Sequence, residues 1–301
     1  MVPRMGASLW LFLPTYNEAG NVDAIVHAAA EELERAAPGD WRVLVVDDAS
    51  PDGTGDLADR VAEEIDGVEV LHRPAKEGLG RAYLAGFDHA LERGAQLVIV
   101  MDADFSHDPK YLPAMLAAAG KADLVLGSRY VPGGGVADWP RLRRVLSRAG
   151  SLYARSILGV GVRDLTSGFR CVRRRVLETV EPSTLRAQGY VFNIELTYRA
   201  LLAGFTVTEV PIVFPDRRAG ESKLSLPIAF EALMLVPKLR SLRRPVVEQR
   251  EGMPGRQRIR WRSRRWPRRP VLGSSGAEAA GAEPSEDGQG TQSAVSDPSA
   301  P

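Results

Sequence analysis

Two hydrophobic periods alternate along the first half of the chain. Leu9–Leu13 is a continuous apolar run, and it is followed by Asn21–Ala37, where Val22, Ile25, Val26, Ala29 and Leu33 fall at spacings of three and four. A run of the first kind predicts a strand covered on both faces, and a stripe of the second kind predicts an amphipathic helix. The alternation repeats: Arg42–Val46 precedes Asp56–Ile65, Val68–Leu71 precedes Leu79–Leu91, Leu97–Met101 precedes Tyr111–Ala119, and Leu124–Leu126 follows. Strands separated by helices of this length predict the α/β class, a mostly parallel sheet with helices on both faces. Past Trp139 the pattern is helical over Leu142–Leu158 and then mixed, with a late strand, Thr206–Phe214, and an amphipathic stretch, Leu224–Leu239. No internal repeat interrupts it. One folded domain, residues 1–242, is expected.

Charge changes the picture only at the end of the chain. The 301 residues are 44% hydrophobic and 26% charged with a net charge of +1, so no global field argues for a nucleic-acid partner, and none is expected. Residues 243–270 nevertheless form an Arg-rich basic segment, with eleven Arg against Glu248 and Glu251. Residues 271–301 hold five acids, no base and many Gly, Ser, Ala and Pro, a composition that predicts a disordered tail. The single cysteine, Cys171, excludes an intramolecular disulfide framework and reads as a small core residue in a reducing compartment. No signal-peptide pattern opens the sequence, and no apolar run reaches the roughly 18 residues a membrane span needs.

Chemistry concentrates where strands end. The first run closes in Pro14-Thr15-Tyr16-Asn17-Glu18, the second in Val46-Asp47-Asp48, and the fourth in Asp102-Ala103-Asp104-Phe105-Ser106-His107. The carboxyl edge of an open α/β sheet is where ligands bind. Two carboxylates one residue apart repel unless a cation lies beside them, and Mg²⁺ or Mn²⁺ takes one or two carboxylates together with water and substrate phosphates. The pattern therefore fits a metal–diphosphate site, with a solvated Asp-rich turn capping the helix near Pro109 as the bland alternative. Tyr16 offers a ring on which a base can stack, Asp48 an acceptor for a base N–H or a ribose hydroxyl. Asp52-Gly53-Thr54 reads as a helix cap. His107 reads as a hydrogen-bonding support of the acidic turn and not as a base. Gly78-Leu79-Gly80 lacks the third glycine of a dinucleotide fingerprint and reads as a tight turn into a helix. Gln257-Arg258-Ile259-Arg260-Trp261 matches a QxxRW pattern by chance within an Arg-rich segment.

PTYNE, VVDDASPDGT, MDADFSH, GSRY, DLTSGFR, GYVFNIE and DRRAGESK stand in the order and spacing of the dolichol-phosphate mannose synthases, which the chain resembles from about Leu9 to Leu239. These are inverting family 2 glycosyltransferases of GT-A fold. The resemblance implies that Pro14, Tyr16, Glu18, Val46 and Asp48 hold the guanosine of GDP-mannose, and that Asp102, Ala103 and Asp104 meet ribose, diphosphate and metal. Asp104 would ligate Mg²⁺ or Mn²⁺ with Ser106 beside it; some relatives carry Gln at that second position. Arg129, Arg217 and Lys223 would bind phosphate groups of donor or acceptor, and Arg143 and Ser147 match positions that grip the lipid phosphate.

The implied reaction moves mannose from GDP-mannose to a polyprenyl or dolichyl monophosphate with inversion. A phosphate monoester whose second pKa is about 6 is largely dianionic at neutral pH, so the nucleophile needs positioning by cations and no general base. Such an acceptor lives in a bilayer, which implies a peripheral protein on the cytoplasmic face, in contact with an anionic membrane surface and with an integral-membrane subunit as a plausible partner. Leu226, Phe230, Leu233, Met234 and Val236 offer one apolar surface for this, with a core helix packed under the sheet as the alternative reading of that stretch, and the Arg run with Trp261 and Trp266 offers a second. Two other readings remain open at this stage. One is a UDP-sugar-dependent polyprenyl-phosphate transferase, separable by donor binding. The other is a non-catalytic nucleotide-sugar-binding subunit, against which the retained Asp102-Ala103-Asp104, Arg217 and Lys223 argue.

Overall fold

The computed structural model describes residues 8–185, 189–215, 226–242, 246–248 and 258–260. The chain divides into two units at residue 265, and all described residues lie in the first. In chain order the elements are β1 (Leu9–Thr15), α1 (Val22–Ala36), β2 (Trp41–Asp47), α2 (Thr54–Glu64), β3 (Val68–His72), α3 (Leu79–Glu92), β4 (Leu97–Val100), α4 (Leu112–Ala119), β5 (Leu124–Ser128), β6 (Gly135–Val136), α5 (Arg141–Leu158), β7 (Arg170–Arg173), α6 (Arg174–Val180), α7 (Gly189–Leu202), β8 (Val207–Pro211), β9 (Val213–Phe214), α8 (Leu226–Leu239), β10 (Val246–Glu248) and β11 (Arg258–Arg260).

The main sheet has seven strands in the order β3-β2-β1-β4-β7-β5-β8. All its neighbours pair in parallel except β7, which runs antiparallel to both β4 and β5. Strand side chains alternate between two cores. Along β1, Trp10 and Phe12 join α3, α5, α6, α7 and α8 on one face, while Leu9, Leu11 and Leu13 join α1, α2 and α4 on the other. Phe12 meets Tyr83 and Phe87 edge-on at 5.6 and 5.3 Å. Gly86 permits this approach, because a Cβ there would lie 3.0 Å from the Phe12 ring.

Most expected elements form where the hydrophobic periods put them. The differences lie in the second half of the chain. Thr206–Phe214 is divided at Ile212: β8 completes the main sheet, whereas β9 leaves it to pair with β6. Beyond residue 242, β10 and β11 pair antiparallel inside the segment read only as basic. The apolar surface expected on α8 also needs correction. Leu233 and Met234 are exposed, but Val236 is fully buried in the core; the side chains of Leu226 and Phe230 lie outside what the structure describes. Among the described residues no helix is long and apolar enough to cross a membrane. Cys171 is a buried core residue whose thiol burial pushes up.

Candidate active site

The register places the acidic strand ends on one rim. Thr15 is opposite Asp47, Phe12 opposite Val100, and Val100 opposite Arg170 across the antiparallel pair. Each of the three loops leaving this rim turns through a non-glycine residue in the left-handed region: Asn17 at φ 58°, Ala49 at 56° and Phe105 at 60°. Such residues cost of order 1 kcal/mol or more each and cluster where a loop must present its neighbours to a ligand.

The first two loops brace each other. Asp47 accepts from the backbone N–H and hydroxyl of Ser50, whose Oγ in turn accepts from the N–H of Asn17. Asp52 accepts from Thr54 through Oδ1 and from the Ala19 N–H through Oδ2, so it ties the start of α2 to the β1 loop as the cap reading expected. Asp48 is buried and paired with Arg73, and it also accepts from Gly78 N–H at 3.3 Å. One face of the Tyr16 ring carries the Lys76 ammonium 3.5 Å from its centroid. Pro14 lies opposite Val46, whose side chain is fully buried in the core, leaving Val46 only its main chain for a ligand. Glu18 accepts from Asn21 at the start of α1. Arg73 and Lys76 went unnoticed in the sequence because they stand in a Pro/Gly-flanked loop without periodicity.

The third loop holds the Asp102-Ala103-Asp104 turn. Asp104 is buried, and its Oδ1 accepts both the N–H and the hydroxyl of Ser106. The Ser106 hydroxyl thus orients Asp104. Ala103 packs into the core, while Asp102 stays partly exposed. His107 supports the turn from below: its Nδ1 accepts the Asp102 N–H at 2.9 Å and its ring stacks on Phe169 at 5.1 Å. Burial pushes the His107 imidazole pKa down, against the pull of Asp102 and Asp104. An Nδ1 that accepts from the backbone leaves the proton of the neutral ring on Nε2. Among the described residues no group of three His, Cys, Asp or Glu could hold a metal by itself. The donors at hand are carboxylate and hydroxyl oxygens, a set that fits a hard divalent cation completed by phosphate oxygens and water.

A second cluster hangs from the end of β5. Arg129 is buried in a bidentate pair with Asp164, with Nε to Oδ2 at 2.7 Å and Nη2 to Oδ1 at 2.8 Å, and Nη2 also donates to Thr166. The expected phosphate ligand therefore has much of its charge matched by Asp164. Its guanidinium lies among three rings, Tyr130, Trp139 and Phe214, at 5.2, 5.9 and 5.5 Å. Arg143 lies 4.0 Å from the Trp139 centroid. The Tyr130 phenol shares a 2.6 Å hydrogen bond with Ser147 Oγ. Burial pushes the Tyr130 pKa up, so it stays protonated. The structure thus gathers Arg129, Arg143 and Ser147 around Tyr130 and Trp139. Arg217 and Lys223 lie outside the described residues. Asp164, Tyr130 and Trp139 were missed as site residues, although Asp164 stands in the quoted DLTSGFR motif.

Aromatic rings connect the two clusters. His107 meets Phe214 edge-on at 5.4 Å, and Phe214 meets Trp139 edge-on at 5.5 Å. Phe214 ends β9, immediately before the stretch that carries Arg217.

Comparison with known proteins places this arrangement. The chain matches the family described as "Glycosyl transferase family 2" over residues 10–181. It is 50% identical over 217 residues to polyprenol monophosphomannose synthase of Mycolicibacterium smegmatis, covering 71% of this chain and 80% of that protein. It is 46% identical over 226 residues to undecaprenyl-phosphate mannosyltransferase of Micrococcus luteus, covering 75% and 91%. Among solved structures, glucosyl-3-phosphoglycerate synthase from Mycobacterium tuberculosis, in complex with Mn²⁺, uridine-diphosphate-glucose and phosphoglyceric acid, aligns with a TM-score of 0.56 at 18% identity over 78% of this chain and 80% of that one. Sheet order, acidic rim and sequence agree: the chain belongs to glycosyl transferase family 2, with the GT-A fold of its structural neighbours.

Proposed function

We propose that this glycosyltransferase moves mannose from GDP-mannose to a polyprenyl monophosphate, inverting the anomeric carbon. One observation carries the reading: the Asp102–Asp104 turn and the Arg129–Arg143–Ser147 cluster follow β4 and β5, the two strands that flank β7, and are joined by the rings of His107, Phe214 and Trp139. Names of the relatives at 46–50% identity support the mannosyl and polyprenyl-phosphate parts.

In this reading the rim between β1 and β2 binds the nucleoside through Pro14, Tyr16, Glu18, Val46 and Asp48, and Asp102 meets the ribose. Asp104, oriented by Ser106, would hold Mg²⁺ or Mn²⁺. Such an ion, when bound, offsets charge building on the diphosphate leaving group. Arg143 and Ser147 present the acceptor phosphate. When the Tyr130 phenol donates to Ser147, the Ser147 hydroxyl is left to donate to a phosphate oxygen. Arg129, locked by Asp164, adds a fixed positive dipole to the same cluster, and Arg217 and Lys223 are assigned to phosphate by resemblance. The attacking oxygen is already ionised at neutral pH, so His107 serves as support. A fixed set of donors of this kind costs no reorganisation during transfer.

A lipid acceptor requires a surface that reaches a bilayer. Helix α5 supplies one that its amphipathic pattern alone did not reveal. Leu142, Val145, Leu146 and Leu152 are 71, 63, 55 and 61% exposed. Fully burying one such side chain is worth about 1.5–3 kcal/mol, so a soluble fold has little reason to leave four on one helix in water. Arg141, Arg144 and Arg148 flank them and are exposed. This face, with Leu233 and Met234 of α8, is the membrane-contacting surface of a peripheral enzyme working at the cytoplasmic leaflet, where each Arg near anionic lipid adds about 1 kcal/mol.

The test is transfer of radiolabel from GDP-mannose to polyprenyl phosphate in detergent or vesicles with Mg²⁺ or Mn²⁺. Lipid-extractable mannose is expected. Label transferred only from UDP-glucose would assign a different donor, and no transfer from either would reject the reading.

A further inference from the structure

Trp139 lies outside the motifs that carry the resemblance. It is 5% exposed, and its indole Nε1–H is buried with no hydrogen-bond partner among the described residues. A buried N–H without an acceptor costs about 1–3 kcal/mol, and such a group in a native fold calls for an explanation, which an acceptor oxygen of a bound ligand would supply.

The surroundings say which kind. Trp139 stands immediately before Pro140, the N-cap of α5, which makes no side-chain capping bond. The first turn of α5 holds Arg141, Arg143 and Arg144 and no acid. A helix N-terminus carries the positive end of the backbone dipole and favours anions, so basic residues placed there oppose it. An anion bound at this turn reverses that balance, since uncapped N–H groups and guanidinium groups then share one acceptor. Arg143 sits 4.0 Å from the Trp139 ring and Arg144 Nη2 donates to the Trp139 carbonyl at 3.2 Å, so the indole and the turn are one packed unit. Ser147, one turn further along, is held by Tyr130.

We propose that Trp139, together with the first turn of α5, binds a phosphate monoester, its indole N–H donating to a phosphate oxygen of the acceptor. This rests on the polyprenyl-phosphate reading above and adds a neutral donor to its charged ligands. A neutral donor of fixed geometry favours a phosphate seated against the ring over one held loosely by exposed arginines. The Phe214 contact places this donor one ring away from His107 and the metal-binding turn.

The direct test uses full-length protein labelled with ¹⁵N-tryptophan. Its five tryptophans give separate indole N–H signals, and the one missing from Trp139→Phe is that of Trp139. Farnesyl phosphate is expected to move this signal downfield, whereas farnesol is not. An equal shift with inorganic phosphate would also assign the N–H to the phosphate and would show that the lipid chain adds nothing there. No shift under farnesyl phosphate concentrations that saturate transfer overturns the proposal. In kinetics, Trp139→Phe keeps an aromatic ring beside Arg143 and removes the donor together with part of the indole's volume. It should raise KM for farnesyl phosphate about tenfold, with KM for the nucleotide sugar unchanged. An unchanged acceptor KM also overturns it. If the wild type transfers no sugar to any polyprenyl phosphate, the proposed function fails, and the indole shift still decides whether Trp139 binds a phosphate.

Discussion

Asp164 holds Arg129 by three hydrogen bonds, two from the guanidinium and one at 3.1 Å from the Arg129 backbone N–H. Main chain and side chain of the residue leaving β5 are thereby fixed by one buried carboxylate. Asp164 is itself held through its N–H by Glu209 of β8 at 2.9 Å, so the pair is anchored to the edge of the sheet.

Replacing Asp164 with Asn should therefore cost about 3–5 kcal/mol, since it leaves Arg129 buried without its counter-charge. Burial alone would push the Asp164 carboxyl up, but Arg129 and the hydrogen bonds around it hold the pKa below the ordinary value. A group with a lowered folded-state pKa stabilises fully above its unfolded value of about 3.9 and loses that contribution as pH falls through the folded one. Urea midpoints of wild type and Asp164→Asn should differ by a constant amount from neutral pH to about pH 5 and converge below about pH 4. A difference that persists unchanged at low pH would reject the charged pair.

Asp104→Ala should abolish sugar transfer, because it removes the carboxylate that Ser106 orients in the turn proposed to hold the metal. Activity surviving this change would remove Asp104 from metal binding. Calorimetric titration with Mn²⁺ and GDP supplies the matching measurement: the heat seen with wild type should disappear.

Gly168 lies under the acidic turn. A Cβ there would sit 3.3 Å from His107 Cε1 and 3.5 Å from the Tyr83 hydroxyl. Gly168→Ala should push the His107 ring by a few tenths of an ångström and tilt the Asp102 backbone that it supports. Misplacement of about 1 Å costs up to a hundredfold in rate, so a several-fold fall in kcat is expected from this smaller displacement. An unaltered kcat would show that the turn tolerates the shift.

The exposed face of α5 predicts a separation of stability from membrane binding. Leu142→Ser with Leu146→Ser should change folding stability by less than about 1 kcal/mol, since both side chains already face water. Sedimentation with anionic vesicles should fall sharply, as should mannose transfer to vesicle-borne lipid, while transfer to a short soluble acceptor stays near the wild-type rate. Unchanged vesicle binding would exclude this face.

How much of this was legible depended on whether a residue's surroundings matched its type. β1, β2 and β4 read clearly because continuous apolar runs are buried on both faces, and the turn residues after them were visible as acids out of place. β7 did not read as a strand, because Arg170-Cys171-Val172-Arg173 begins and ends in charge. Yet Arg170 is fully buried, with Nη1 and Nη2 donating to the carbonyls of Asn193 and Ser167, and burial lowers its pKa to about 10. Helix α7 hid for a related reason: Glu195 and Arg199 look like a solvated face but pair with each other inside the core. In the site, Asp164 and Tyr130 were missed although they stand inside the DLTSGFR and GSRY motifs, and Trp139 and Phe214 were missed outside any motif. Lone aromatics carry no periodic signal.

The reversal of β7 has a consequence for how this enzyme could diversify. Residues 129–169 depart from the rim at the end of β5 and re-enter at the same rim opposite Leu126 and Val100, so this excursion begins and ends at adjacent points. Its outward part can be rewritten without re-threading the strands beneath, while Ala154, Leu158, Val162 and Leu165 keep it seated in the core. In the proposed reading, recognition of the accepting molecule rests on this excursion and that of the nucleotide on β1, β2 and β4.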